Sequence, residues 1–449
     1  MPLSPSLVIC SALFTQTLTQ FIDVQSLEHK TYDMETRWLQ SGLLIFAFSV
    51  LGLGTALLGP SLPDIAYRTN SKVSQYTAVF FGRAIGVVIG SLASSAIVDT
   101  TDHMVVMGLA IIVCGAGVWF VPYCSSIYTV AALISCLGLA VGIVDTAGNV
   151  AALALWRHKP KTQGSVLQAL HAGFALGGTV CAPLARPFLG DYKVGDAAVA
   201  DLMKSRDESL SEEWVQVEPD HIDGLYRIVA LVIVSAGGLM LAEFKASKRP
   251  LRTNNKPSEE NGQLTATEAT PTMTRKQKEL IGWLMLFFVL CVGSEITFAQ
   301  FIYTFTMGYT SQLMGTDTFS TYWLTPPKTM RDLSTFVNFL FWFGFCLFRF
   351  GGAIATRYVS ARQILWANVI GLTLTSLTMV LSSSPLVLTL MSFSFGAFIA
   401  TCFASAISLA ETKVAVTGAI TSKFVFGAAI GWMTLPFLTG YLFDINQLR

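Results

Sequence analysis

Apolar residues gather along this chain in long unbroken runs. They do not show the alternation of half-buried strands or the narrow stripes of amphipathic helices. Eleven runs come close to or exceed the roughly 20 residues that a helix needs to cross a hydrocarbon core. They cover 38–60, 75–98, 104–123, 127–156, 166–189 and 225–242, then 280–308, 332–354, 363–382, 386–410 and 418–442. Between the sixth and seventh lies 243–279, rich in Lys, Arg, Glu, Ser, Thr and Asn. That composition predicts a disordered linker. The expected plan is an N-terminal segment 1–37, a six-helix bundle 38–242, the linker 243–279, a five-helix bundle 280–442 and a tail 443–449. The predicted fold class is an all-α polytopic membrane protein of two bundles. Six runs and then five leave the twelfth helix of a six-plus-six plan missing.

Composition supports the bilayer. Of 449 residues, 53% are hydrophobic and only 13% charged. Soluble domains carry about 25% charged residues, so a soluble fold is excluded. A net charge of +1 gives no basic field for nucleic acid, and no nucleic-acid partner is expected. The eight cysteines are scattered without a CxxC pair and read as small apolar helix residues. There is no HExxH, nucleophile elbow or clustered His/Asp/Glu set. An enzyme is therefore not expected, nor is a metal site or a resident cofactor.

Basic residues set the expected orientation. Arg157, Lys159 and Lys161, then Arg357 and Arg362, and the Lys/Arg-rich linker all fall on one side when the runs are counted in turn. The positive-inside rule makes that side, and the N-terminus with it, cytoplasmic. The loop 190–224 on the other side is acidic.

Small residues recur at spacing four: Gly82, Gly86 and Gly90; Gly138 and Gly142; Gly173 and Gly177; Gly427 and Gly431. That spacing lets helix backbones approach closely. It suits either ordinary helix packing or a sliding interface between the bundles.

A charge at bilayer depth costs about 2.5–3.5 kcal/mol on insertion scales, so each one is a functional candidate. Asp145 and Asn149 share one face of the fourth helix at i, i+4. A carboxylate above an amide can clamp two hydroxyls of a sugar or carry a proton. Gln168 and His171 share a face of the fifth helix, and both donate and accept hydrogen bonds. In the seventh, Glu295 precedes Gln300 and Tyr303. Glu295 and Gln300 lie about 140° apart on an ideal helix, so the three meet one cavity only if that helix bends. Arg83 lies deep in the second helix, with Asp145 a candidate counter-charge. Arg349 sits near the basic-loop end of the eighth, where snorkelling is expected. The segments Phe81-Gly82-Arg83 and Leu347-Phe348-Arg349 echo each other between the halves.

Several segments carry a likeness: Leu58-Gly59-Pro60-Ser61 with Asp64, Phe81-Gly82-Arg83 with Gly86, Asp145-Thr146-Ala147-Gly148-Asn149, Gln168-Ala169-Leu170-His171, and Gly293-Ser294-Glu295 running to Phe305. Over about 38–445 the chain resembles the major facilitator superfamily, in particular its sodium-dependent glucose transporter and fucose permease-like branch. The resemblance implies alternating access to a central hexose site. It places Asp145 where fucose permeases carry a sugar-binding, proton-coupling carboxylate, and Asn149 and Gln168 at polar sugar-site positions. It also makes Asp99 a gating candidate, although Thr100-Thr101-Asp102-His103 stand where the superfamily has a basic run. The first run has no carboxylate, and Trp432 stands where relatives often carry an acid.

The function expected is therefore a plasma-membrane hexose transporter, a uniporter or a symporter of Na+ or H+. Substrate-binding candidates are Asp145, Asn149, Gln168, His171, Glu295, Gln300 and Tyr303. Coupling or gating candidates are Asp145, Glu295, Arg83 and Asp99. Its partners are a small sugar and the lipid bilayer. A carrier for another polar solute and a non-transporting sugar sensor are the alternatives, the second favoured by the incomplete repeat.

Overall fold

The computed structural model describes residues 34–71, 73–97, 101–156, 159–193, 215–218, 220–247, 274–313, 330–355, 358–382, 384–414 and 418–447. Among the described residues twelve helices carry the fold. They are α1 Met34–Thr69, α2 Thr77–Ile97, α3 His103–Phe120, α4 Ile127–Leu155, α5 Pro160–Ala185, α6 Ile222–Ser247, α7 Arg275–Leu313, α8 Met330–Ala355, α9 Ala361–Leu381, α10 Pro385–Ile399, α11 Cys402–Glu411 and α12 Gly418–Gln447. Since α10 and α11 form one span, eleven spans are long and apolar enough to cross a membrane among the described residues. Lipid offers the backbone no hydrogen-bond partner, so each crossing must satisfy its own peptide groups as a helix.

Local chemistry fixes the ends. Asp102 caps α3 by accepting from the Met104 amide at 2.9 Å. Ser126 caps α4, and Ser360 with Gln363 forms a capping box on α9. Pro160 and Pro385 open α5 and α10, where a missing N–H costs nothing. The break after α10 falls at Ala400–Thr401, where the Asn368 amide donates to the Thr401 hydroxyl at 2.8 Å. A short antiparallel hairpin, β1 Asp191–Lys193 with β2 Val215–Glu218, adds strands in the acidic loop.

Three boundaries differ from the sequence expectation. The first helix runs past Pro60 and Pro63 to Thr69, because a span inside protein tolerates proline where neighbours cover the freed carbonyls. The first helix therefore does contain a carboxylate, Asp64. The linker is also shorter than 243–279, since its first residues extend α6 and its last ones begin α7. Its centre, 248–273, lies outside the described residues, as do 1–33 and Asp99.

Packing is closest within two sets, 34–247 and 275–447. In the first set α1 pairs with α5, α2 with α4, and α3 with α6; in the second α7 pairs with α12 and α8 with α10. The sets meet through α5 against α8, α2 against α12, and α1 against α7. The glycine stripes belong to the pairs inside each set. A Cβ on Gly177 would lie 1.9 Å from the Ser49 carbonyl oxygen of α1. One on Gly86 would lie 2.1 Å from the Ser135 oxygen of α4, and one on Gly431 would lie 2.2 Å from the Val289 oxygen of α7. Of the two readings, the close approaches support ordinary packing within each set. At the seam between the sets, Gly178 faces the Trp342 ring, 2.4 Å from a would-be Cβ.

Gly177→Val therefore forces α1 and α5 apart and should destabilise the purified protein by about 1–3 kcal/mol. Gly238→Ala, with nothing within 4 Å of the new methyl, should leave the melting midpoint in place. Equal midpoints for both variants would contradict the packing described.

Candidate functional site: a cleft sealed at one end

The helices alternate in direction, so each charged group has a depth. One end of the bundle carries the basic connections near Lys159 and Arg362. The other carries the hairpin and the C-terminal end of α1.

That second end is sealed. Asp64 of α1 meets Arg331 of α8 in a two-pronged ion pair, with both contacts at 3.0 Å. The two side chains are 0% and 1% exposed. The Gly190 amide also donates to Asp64 at 3.1 Å. Beside it Arg186, just past the end of α5, pairs with Asp332 of α8 at 2.7 Å. Deeper, Gln300 of α7 donates to the Thr55 carbonyl of α1 at 3.1 Å. The Thr179 hydroxyl of α5 donates to the Trp342 carbonyl of α8 at 3.0 Å. All of these except the Gly190 bond join the first set of helices to the second. Arg68, paired with Asp220 and Asp223, braces α1 against the start of α6.

Toward the basic end a small cleft lies between the sets. Gln168 and His171 of α5 line one wall; Arg349 of α8 and Phe403, Ser405 and Ser408 of α11 line the other. His171 stands between the Phe48 ring, 5.6 Å away edge-on, and the Phe403 ring at 6.5 Å. On α4, the Asn149 amide donates to the Asp145 carbonyl at 2.7 Å and to its carboxylate at 3.4 Å. The charge of Arg349 acts on Asp145, Glu295 and His171 together. Its guanidinium carbon lies 4.4 Å from the centre of the Phe345 ring.

The sequence candidates thus divide. Gln168 and His171 line the cleft with Arg349; Asp145 and Glu295 lie within range of the Arg349 charge, with Asn149 bonded to Asp145. Gln300 and Tyr303 do not join them. Both are fully buried toward the sealed end, where Arg331 lies 6.0 Å above the Tyr303 ring. The helical offset between Glu295 and Gln300 is kept, because α7 stays one helix through both.

Two arginines differ from expectation. Arg83 does not pair with Asp145. At its level α4 presents Gly138, against the Arg83 carbonyl, and Asp145 lies seven residues, roughly 10 Å, farther along. Its buried guanidinium packs on the Trp432 ring at 5.2 Å, with no hydrogen-bond acceptor among the described residues. Arg349 does not snorkel to the interface; it turns into the cleft. The signal lay in the register of α8. Arg331, Thr335, Asn338, Trp342 and Arg349 follow one another at helical spacing, and the first four are buried. Arg331 was missed altogether because it falls where the apolar run begins.

The Major Facilitator Superfamily model matches residues 44–436. The chain belongs to that superfamily and is a membrane transporter of its type. Sodium-dependent glucose transporter 1A of Mus musculus is 28% identical, covering 88% of each chain. Sodium-dependent glucose transporter 1 of Homo sapiens is 26% identical over 89% of this chain and 73% of its own. Among solved structures, a bacterial homologue of the human lysosomal transporter Spinster, inward-facing and unoccupied, superposes with a TM-score of 0.60. It has 12% identity and covers 92% of this chain and 84% of its own. The nucleoside transporter NupG superposes at 0.58 with 11% identity, covering 92% of each chain.

Removing one partner of a buried ion pair strands the other charge, at a cost of about 3–5 kcal/mol. Asp64→Ala or Arg331→Ala should therefore loosen the sealed end. Amide hydrogen exchange over residues 59–66 and 331–338 should quicken, whereas Arg275→Ala, in an exposed pair on one helix, should change neither. Unaltered exchange in the first two variants would show that the seal does not rest on this pair.

Proposed function

We propose that the chain carries a hexose or similar polyol across the membrane by alternating access, with cation coupling, and that the cleft is its binding site. The observation that carries this reading is the arrangement of polar groups in a cleft open at one end only. Gln168, His171, Ser405 and Ser408 supply donors and acceptors for neutral hydroxyls. Phe403 offers an aromatic face to the apolar side of a sugar ring. Asp145, held by Asn149, adds a charged acceptor, and such bonds are about twice as strong as neutral ones. The names of the relatives, which speak of glucose and sodium, support the same substrate class and ion.

The basic end is read as cytoplasmic from its Lys and Arg excess, which makes the conformation inward-open. The sealed end then faces outside, and the Asp64–Arg331 pair must part for the outward-open state. Placement in the plasma membrane is part of the proposal. Gln300 and Tyr303 belong to the outer seal in this reading and meet substrate only when it opens. Arg83 stays between α2 and α12 as a packing cation on Trp432.

Uptake of labelled glucose into proteoliposomes tests the reading. Asp145→Asn keeps the Asn149 contact but removes the charge, and should lower uptake at least roughly tenfold, about 1.4 kcal/mol of binding. Gln168→Ala and Ser405→Ala should each weaken apparent sugar affinity severalfold. Uptake unaffected by all three would place the substrate elsewhere. Absence of uptake for a panel of hexoses by the wild-type protein would remove the sugar.

A further inference from the structure

At the sealed end charges meet opposite charges. Asp64 has Arg331 at 3.0 Å, and Arg186 has Asp332 at 2.7 Å. Arg83 has no such partner. It is 1% exposed, and its Nε, Nη1 and Nη2 have no hydrogen-bond acceptor among the described residues. The Trp432 ring, 5.2 Å away, attracts the charge but takes up none of these N–H groups. The Trp432 indole nitrogen is itself buried without an acceptor.

The helices packed on α2 explain the shortage. They are α4 and α12. The α2 sequence holds no carboxylate. The single acid of α4 is Asp145, seven residues beyond Gly138. The single acid of α12 is Asp444, twelve residues beyond Trp432, which is roughly 18 Å along a helix. No carboxylate field acts on Arg83 among the described residues. The unsatisfied groups gathered here are therefore all donors, those of a guanidinium and an indole. Burying such a charge without an anion is costly.

A neutral water does not meet that need, because it leaves the charge uncompensated. An anion accepts from every donor present and cancels the charge. Arg83 does not line the cleft, and Phe80, Ala84 and Val87 on its own helix are buried apolar residues. The setting therefore suits a small ion and not a molecule the size of a sugar.

We propose that Arg83 and the Trp432 indole N–H bind one small monovalent anion of the halide class at the seam between α2 and α12. The site goes beyond the transport reading and is separate from the cleft. Since α2 belongs to the first set and α12 to the second, the ion ties the two sets together in this conformation.

The full chain is purified in detergent with gluconate as the only small anion. Its unfolding midpoint is followed as chloride replaces gluconate at constant sodium and constant pH. The wild type should be stabilised by chloride along a single saturating curve, and bromide should act alike. Arg83→Gln removes the charge and should weaken the apparent chloride affinity at least roughly tenfold, or abolish the effect. Arg83→Lys keeps the charge but not the planar fork, and should weaken it by a smaller factor. Trp432→Phe keeps an aromatic face and removes the N–H, and should weaken it severalfold. Arg275→Gln, in an exposed pair on another helix, should follow the wild type.

A wild-type midpoint indifferent to chloride would overturn the proposal. So would chloride stabilisation that persists unchanged in Arg83→Gln, because the ion would then be seated elsewhere. If Arg83→Gln does not fold, an unchanged chloride dependence in both Arg83→Lys and Trp432→Phe is enough to reject it. The hexose reading stands or falls separately. Chloride-linked stabilisation without glucose uptake would uphold the anion site and remove the sugar. Glucose uptake by a protein indifferent to chloride would do the reverse.

Discussion

A charged side chain in a bilayer must find an opposite charge, water or a protein seam, and the whole arrangement of this transporter follows from how each charge meets that demand. The lipid-facing surfaces are apolar, with side chains such as Leu92, Ile354 and Leu374 exposed. The deep charges lie where the two sets of helices meet. Asp64 and Arg331 settle against one another in a dry contact. Arg349 lines the cleft and feels the charges of Asp145 and Glu295. Arg83 has the face of Trp432. The seam is therefore both the polar interior of the protein and the surface along which it must move.

The two ends of the seam are built differently for a physical reason. At the sealed end, four contacts cross the seam: two of acid with base, one of amide with carbonyl and one of hydroxyl with carbonyl. Each satisfied group removes a reason for water to enter. At the open end Gln168, His171, Arg349, Ser405 and Ser408 line the cleft instead. Within each set, helices approach through glycine so closely that no methyl fits between Gly177 and Ser49. At the seam, side chains as well as backbones touch, as in the Trp342 ring lying against Gly178.

Much of this was legible in the sequence, because a membrane imposes a simple rule on it. Long apolar runs became helices at the expected places, and even the echo between Phe81-Gly82-Arg83 and Leu347-Phe348-Arg349 marked two arginines that matter. The cluster of Asp145, Asn149, Gln168, His171 and Glu295 followed from asking which polar groups lie deep. Depth, however, does not reveal azimuth. Tyr303 and Gln300 are as deep as any site residue, but they sit beneath the Asp64–Arg331 pair. Arg349 looked shallow when counted from its helix end, although its register with Trp342 and Asn338 turns it inward. The Asp64–Arg331 pair joins residues 267 apart in sequence, and no local pattern announces it. Helix-breaking Pro60 and Pro63 concealed Asp64 by suggesting that α1 had already ended.

The central claim is that the two sets of helices rock about the cleft, so that one end opens as the other closes. Spin-label distances across both ends in lipid nanodiscs test it most directly. One pair replaces Tyr123 and Leu386 at the sealed end, and the other Lys159 and Tyr358 at the basic end, all four exposed. Adding glucose with sodium should redistribute both distances in opposite senses, the first lengthening as the second shortens. Distances that stay fixed, or that lengthen and shorten together, would contradict alternating access in this protein.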